Sequence, residues 1–286
     1  MKTVTRESYS KRIERVVMYL TEHLDVELDL HRLAEEANFS PYHFHRVYCA
    51  MIGETMMDTL RRLRLHRAAV KLLASNTPIA RLAREAHYGS VQSFHRAFKE
   101  AHGVAPAAYR SRGRTTALQF NPSHRNKESM MHEVTIQQVQ PLRVAALSHQ
   151  GEYNDIGNSF ARLTAWAAGR NLIEPNSRSF GIYYDDPSAV PASALRADAC
   201  LTIPEHASVD GEYRITHTPG GPCALLIHVG PYAELEHSYQ WLYGLWLPQS
   251  GYEPADQPCF EEYLNDAHTL PPSQWRTAIC LPLKPS

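Results

Sequence analysis

The run Cys259–Asp266, CFEEYLND, sets two adjacent carboxylates, Glu261 and Glu262, among apolar and aromatic side chains. It has the length and composition of a β-strand. Neighbouring side chains on a strand point to opposite faces, so Glu261 shares a face with Tyr263, while Phe260, Glu262 and Leu264 share the other. A carboxylate among aromatic rings is costly unless it is paired or protonated. A cationic ligand stacking on those rings would bring both a counter-charge and cation–π contact. A neighbouring Arg or Tyr would satisfy the same carboxylate with no ligand at all. His149 and His228 each precede a Gly-turn-Tyr segment, but no carboxylate or cysteine stands at ligand spacing from them. Both are expected to be structural, and no metal or cofactor is expected. Trp275 follows a loop near the glutamate strand and is the tryptophan expected at a cleft, whereas Trp166, Trp241 and Trp246 fit helix faces and are expected in cores.

These residues need a scaffold, and the 286-residue chain has material for about two domains. It is 43% hydrophobic, and no run approaches the roughly 18 apolar residues of a membrane span. The charged N-terminus, MKTVTRESYSKRIERV, lacks an apolar signal core, so a cytoplasmic location is expected. Five scattered cysteines without a CxxC read as reduced core thiols. The net charge of −1 conceals a division: residues 1–114 hold 19 basic and 12 acidic side chains, and residues 115–286 hold 10 and 18. The basic part suits a polyanionic partner.

Residues 8–112 show helical spacing of apolar side chains, broken at Ser40-Pro41, Gly53, Thr77-Pro78, Gly89-Ser90, Gly103 and Pro106. Residues 113–131 are polar and aperiodic and are read as a linker. Residues 132–284 alternate short β-branched or aromatic runs with two helix candidates, an α+β texture. Each half repeats internally. In the helical half Leu33, Ala34, Ala37 and Phe44-His45-Arg46 match Leu82, Ala83, Ala86 and Phe94-His95-Arg96. Each unit is a short helix, a tight turn and a second helix, the helix-turn-helix plan. In the second half His149, Gly151, Tyr153, Ile156, Phe160 and Leu163 recur 79 residues on as His228, Gly230, Tyr232, Leu235, Tyr239 and Leu242. FGIYYDDP then falls on CFEEYLND, and RADACLTIP on RTAICLPL. Each unit reads strand, helix, strand, strand, and the two form one pseudo-twofold sheet with helices on one face, an open concave face opposite and a ligand pocket expected at the seam.

The second helix of such a motif lies in the major groove with its N-terminal residues at base edges. Those positions hold Tyr42, His45 and Arg46 after Ser40, and Val91, Gln92, Ser93 and Arg96 after Ser90. Arg pairs bidentately with guanine and Gln with adenine. Arg61, Arg62, Arg64 and Arg67, on the helix joining the units, read either as phosphate contacts or as a solvated face.

Residues 8–112 resemble the DNA-binding domain of AraC-type transcriptional regulators, through TPIARLAREAHYGSVQSFHRAFKEAHGVAPAAYR and its closing Gly103, Pro106, Tyr109 and Arg110. The resemblance implies two recognition helices in successive major grooves, with bases read by Tyr42, His45, Arg46, Gln92, Ser93 and Arg96. Val91 departs from the polar residue of the nearest branch. Residues 132–284 resemble the GyrI-like (SbmC-like) small-molecule-binding domain through GIYYDDP, RADACLTIP, CFEEYLN and Trp275. That order of domains is similar to the Rob branch. The resemblance implies an aromatic cleft for amphipathic, often cationic compounds around Glu261, with ligand contacts from Tyr183, Tyr184, Tyr263 and Trp275.

A one-component transcriptional regulator is the expected function, with double-stranded DNA and a small-molecule effector as partners and no membrane. Effector binding would shift populations between states that differ in DNA affinity or in contact with RNA polymerase. Two rivals follow from the GyrI-like resemblance. One is a hydrolase of electrophilic, cyclopropane-bearing natural products using Glu261 with Tyr263 as an acid–base pair. The other is a protein-binding module.

Overall fold

The computed structural model describes residues 2–26, 28–112, 133–267 and 269–285. The expected linker lies outside the described residues. Seven helices come first: α1 (Lys2–Glu22), α2 (Leu30–Glu36), α3 (Pro41–Ile52), α4 (Met56–Ala74), α5 (Ile79–Glu85), α6 (Val91–His102) and α7 (Pro106–Arg112). The two helix-turn-helix units, α2–α3 and α5–α6, are built alike. Ser40 and Ser90 cap the second helices, each hydroxyl accepting from a backbone N–H, of Tyr42 at 3.3 Å and Ser93 at 3.0 Å, which satisfies a donor the helix leaves open. Gly53 and Gly103 end them at φ +83° and +75°, a conformation glycine adopts without steric cost. Each connecting turn places a non-glycine residue in the left-handed region at the matched position, Asn38 at φ +52° and His87 at +61°.

The second half is one antiparallel sheet in the order β1-β6-β8-β7-β3-β4-β2-β5. Its strands are β1 (Val134–Val139), β2 (Arg143–Gln150), β3 (Ser179–Tyr183), β4 (Arg196–Thr202), β5 (Tyr213–His217), β6 (Gly221–Val229), β7 (Cys259–Tyr263) and β8 (Arg276–Pro282). Helix α8 (Ile156–Ala168) crosses one unit. In the other, α9 (Leu235–Trp241) runs into a π turn (Leu242–Trp246) and a last α turn, α10 (Leu247–Ser250). The duplicated unit is therefore strand, strand, helix, strand, strand. The leading strands β1 and β5 sit at opposite edges of the sheet, each paired with the second strand of the other unit, β1 with β6 and β5 with β2. Both are mostly exposed, so they lack the buried alternation that marks a strand in sequence.

The repeat spacing is 79 residues from β1 to β5 and 80 from β3 to β7 and from β4 to β8. The change falls in the segment containing the π turn, whose i→i+5 pattern holds an additional residue. The structure thus corrects the laying of FGIYYDDP on CFEEYLND by one position: Gly181 is the counterpart of Glu261, and Tyr183, not Tyr184, is the counterpart of Tyr263.

Both crossing helices pack on one face of the sheet. Leu163 and Trp166 of α8 bury against Leu147, Tyr183 and Ala199. Leu242 and Tyr243 bury against Leu226, Cys259 and Ile279, in a cluster that continues into Tyr9, Val16, Phe44 and Tyr48 of α1 and α3. The second helix-turn-helix unit has a core of its own, with Leu72, Leu82, Phe94 and Phe98. All five cysteines are free thiols, four of them buried.

Candidate functional site

Strands β3 and β7 lie side by side at the centre of the sheet, and Gly181 pairs directly with Glu261. Since these two are repeat counterparts, the pseudo-twofold axis passes between them. Glu261 is 4% exposed and points to the helix-covered face, not to the open one. Its carboxylate accepts from the Tyr239 hydroxyl at 2.9 Å and the Tyr263 hydroxyl at 3.2 Å. The Tyr183 and Tyr263 hydroxyls meet at 2.6 Å. Gly181 makes room for this: a Cβ there would stand 2.7 Å from the Tyr183 ring and 2.8 Å from its hydroxyl. Burial pushes the Glu261 carboxyl up to about 7 from its ordinary 4.5, against the opposing pull of Tyr239, Tyr263 and the Arg46 charge. Burial also raises the Tyr183, Tyr239 and Tyr263 phenols well above 10, so all three stay neutral donors.

The surrounding rings come in counterpart pairs. Tyr153 meets Tyr183 edge-on at 4.8 Å and Tyr232 meets Tyr263 at 5.5 Å. Phe160 of α8 stands edge-on to Tyr263 at 5.3 Å, and its counterpart Tyr239 of α9 holds Glu261. Trp275 packs on Tyr232 at 4.6 Å and donates its indole N–H to the Leu270 carbonyl, two rings, Tyr232 and Tyr263, removed from the carboxylate. Of the residues expected around the ligand, Glu261, Tyr183 and Tyr263 are brought together and Trp275 borders them. Tyr184 is not: the pleat turns it to the opposite face, where its hydroxyl donates to Asp198 at 2.5 Å. Glu262 also faces that side and pairs with Arg178 at 2.6 Å. Tyr153, Phe160, Tyr232 and Tyr239 were missed as site residues. Their signal was present, because each is aromatic in both repeats at the same offset.

The paired histidines are structural anchors. His149 meets Ser159 at 3.3 Å and the Glu152 carbonyl at 3.0 Å, while His228 meets Ser238 at 2.9 Å and the Pro231 carbonyl at 3.3 Å. Among the described residues no group of three or more His, Cys, Asp or Glu side chains is placed to hold a metal ion.

The two recognition helices differ sharply. On α6, Gln92 and Arg96 are exposed, and Ser93 is half-buried with its hydroxyl bonded to the Ser90 carbonyl. On α3, Tyr42 and Arg46 are half-buried and His45 is buried, so the expectation of an exposed face does not hold for this helix. His45 bonds Asp186 at 3.0 Å, His43 bonds the Tyr243 hydroxyl at 2.7 Å, and Arg46 donates to the Asp185 carbonyl at 3.3 Å. Burial raises the Asp186 carboxyl, but His45 and the Arg46 charge outweigh it and hold it well below the usual carboxylate range. The arginines of α4 are engaged within the protein: Arg61 with Asp58, Arg62 with Glu54, Arg67 with Asp25, and Arg64 with the Leu24 carbonyl.

Fold and site together define a class: a tandem helix-turn-helix module joined to a pseudo-twofold α+β domain that holds a carboxylate among aromatic rings. Residues 132–284 match the GyrI-like small molecule binding domain, more than half of the chain, and the chain belongs to that family. Residues 33–112 match a helix-turn-helix domain, here of AraC type. The chain is 33% identical over 151 residues to DNA gyrase inhibitor 2 of Dickeya dadantii (strain 3937), which spans 51% of this chain and 92% of that protein. It is 28% identical over 154 residues to the probable transcriptional regulator YgiV of Escherichia coli (strain K12), spanning 53% of this chain and 96% of that one. It is 32% identical over 121 residues to the right origin-binding protein of the same organism, spanning 42% of each. The cryo-EM structure of the EcmrR–DNA complex superimposes on 94% of this chain and 99% of that one at a TM-score of 0.50 and 13% identity, which shows a common fold. The chain is thus a DNA-binding regulator of AraC type with a GyrI-like small-molecule-binding domain. Among the described residues no helix is long and apolar enough to cross a membrane.

Proposed function

We propose that residues 132–284 sense a cationic, aromatic-stacking small molecule and that its binding regulates DNA recognition by residues 8–112 and, through it, contact with RNA polymerase. The observation that carries this reading is a buried carboxylate whose direct partners are phenols rather than a cation, ringed by half-buried aromatic side chains. A guanidinium or quaternary ammonium entering there gains a counter-charge and several π faces, which it lacks in water. On the DNA side, Gln92, Ser93 and Arg96 of α6 and Tyr42, His45 and Arg46 of α3 are the proposed base readers.

The test is calorimetric titration with benzylguanidinium and with benzylurea, its neutral counterpart of the same shape. A charge-assisted contact contributes roughly 1.5–3 kcal/mol, so Glu261→Gln should weaken the guanidinium about tenfold or more and leave the urea little changed. Glu262→Gln, on the opposite face, should alter neither. Equal losses at both glutamates would remove Glu261 from the site. A second reading uses the same carboxylate as a general base for hydrolysis. It is favoured by the Tyr263 hydroxyl at 3.2 Å and a carboxyl poised near neutrality. Consumption of an electrophilic ligand by the wild type, abolished in Glu261→Gln, would select it.

A further inference from the structure

The helix-turn-helix units are repeats with the same Phe-His-Arg in the second helix, and one serves as an internal comparison for the other. Arg96 of α6 is exposed, as a base reader must be. Its counterpart Arg46 is inserted between helix α9 and the turn after β3. The guanidinium carbon lies 4.7 Å from the centre of the Tyr239 ring and 5.8 Å from that of Tyr243. The Tyr239 hydroxyl is itself bonded to Glu261. A cation on an aromatic face, one ring from a buried carboxylate, has the chemistry expected of the effector.

The contact around Arg46 is built, not incidental. His45 pairs with Asp186, His43 with Tyr243, and the Ser40 hydroxyl with Asp256 at 2.7 Å. The backbones approach closely: a Cβ on Gly244, in the π turn, would lie 2.8 Å from the Ala50 Cβ and 3.0 Å from the Ala50 carbonyl oxygen. The same face of α3 cannot hold these contacts and also enter a major groove, because the groove admits the helix alone.

We infer that α3 is a tethered occupant of the effector site: Arg46 takes the place of the cation, and docking of α3 on the sensing domain and reading of DNA by α3 exclude one another. This rests on the function proposed above and assigns its direction. An effector cation that settles against Glu261 and Tyr239 expels Arg46 and frees α3, so it raises DNA affinity. By linkage, DNA raises effector affinity by the same factor. Helix α6 is not held, so in the docked state DNA is gripped by one recognition helix instead of two.

A reversible bridge tests this in the full chain. The Cys49 sulfur lies 4.0 Å from the Ser188 hydroxyl across the contact, and the other four cysteines are buried. Neither Cys49 nor Ser188 belongs to the proposed base readers or the ring around Glu261. In Ser188→Cys, copper-phenanthroline oxidation should join positions 49 and 188 and lock α3 down. Binding is measured to a duplex selected from a randomised pool by the reduced protein. Allosteric couplings are typically about 5–150-fold, so the bridged protein should bind at least about fivefold more weakly than the same sample after reduction. The wild type should not respond to the oxidant. Benzylguanidinium should strengthen DNA binding by the reduced protein and not by the bridged one. Equal DNA affinity in the bridged and reduced states overturns the inference, and so does failure of the bridge to form, because the two positions are then not neighbours in solution. If benzylguanidinium does not bind at all, the proposed function fails, while the comparison of bridged with reduced protein still decides whether docking blocks DNA.

Discussion

Glu261 is held by two phenols in a place where burial keeps its proton on to about pH 7, whereas the unfolded chain releases it near 4.5. Between those values the folded protein binds the extra proton, so this group's contribution to stability falls as the pH rises from about 4.5 through about 7. The difference accumulates at about 1.4 kcal/mol per unit of separation between the two pKa values. Glu261→Gln removes it, so the melting temperature of the variant relative to wild type should climb between pH 5 and pH 8. A flat difference across that range would mean that the carboxyl titrates normally. The same linkage makes benzylguanidinium bind more tightly as the pH passes 7, since the cation selects the carboxylate, while benzylurea should show no such rise. The glutamate was legible in the sequence because a charge in an apolar, strand-like run is a local anomaly. The exclusion of Tyr184 was not, because a single added residue between α9 and β7 moves the repeat register by one, and one residue on a strand is the difference between the two faces.

At the scale of elements, α3 and α6 were read correctly as counterparts from their shared Phe-His-Arg, serine caps and closing glycines. Their different surroundings were invisible, because contacts such as His45–Asp186 join residues 141 positions apart and leave no periodic trace in either segment. The edge strands β1 and β5 escaped for a different reason: with most side chains in solvent they carry no buried alternation. The asymmetry between the helices has a measurable consequence. Arg96→Ala should cost about 1–3 kcal/mol at the selected duplex and relax selectivity at its own base pair. Arg46→Ala should lose selectivity at a different base pair, but with a smaller net loss, since it also removes a contact that holds α3 away from DNA. Binding to single-base variants of the duplex at fixed salt separates the two. Uniform weakening across all sequences in either variant would make that arginine a phosphate contact.

At the scale of the whole molecule, the largest packed cluster does not stop at the boundary between helical and α+β segments. Tyr9, Phe44 and Tyr48 share it with Leu226, Tyr243 and Ile279, and Arg12 pairs with Glu253 at 2.5 Å across the same contact. The second helix-turn-helix unit keeps to its own core. Hydrogen exchange should therefore show α1–α3 opening with the sheet and α5–α7 opening separately. A Gly244→Val wedge against Ala50 should lower protection in α1–α3 and leave α6 unchanged. Equal protection of α1–α3 in both proteins would show that the shared cluster contributes nothing to holding them. The pairing of Gly181 with Glu261 on the pseudo-twofold axis has one more implication. Two identical subunits related by a true dyad present the same residue from each side, so at that point they offer two carboxylates or none. Two would repel across a pair of neighbouring strands. A lone charge at the centre of a symmetric aromatic box is open only to a covalently continuous chain whose halves have been free to differ, and it is what gives the box one polarity, so that a cation has a single way to lie within it.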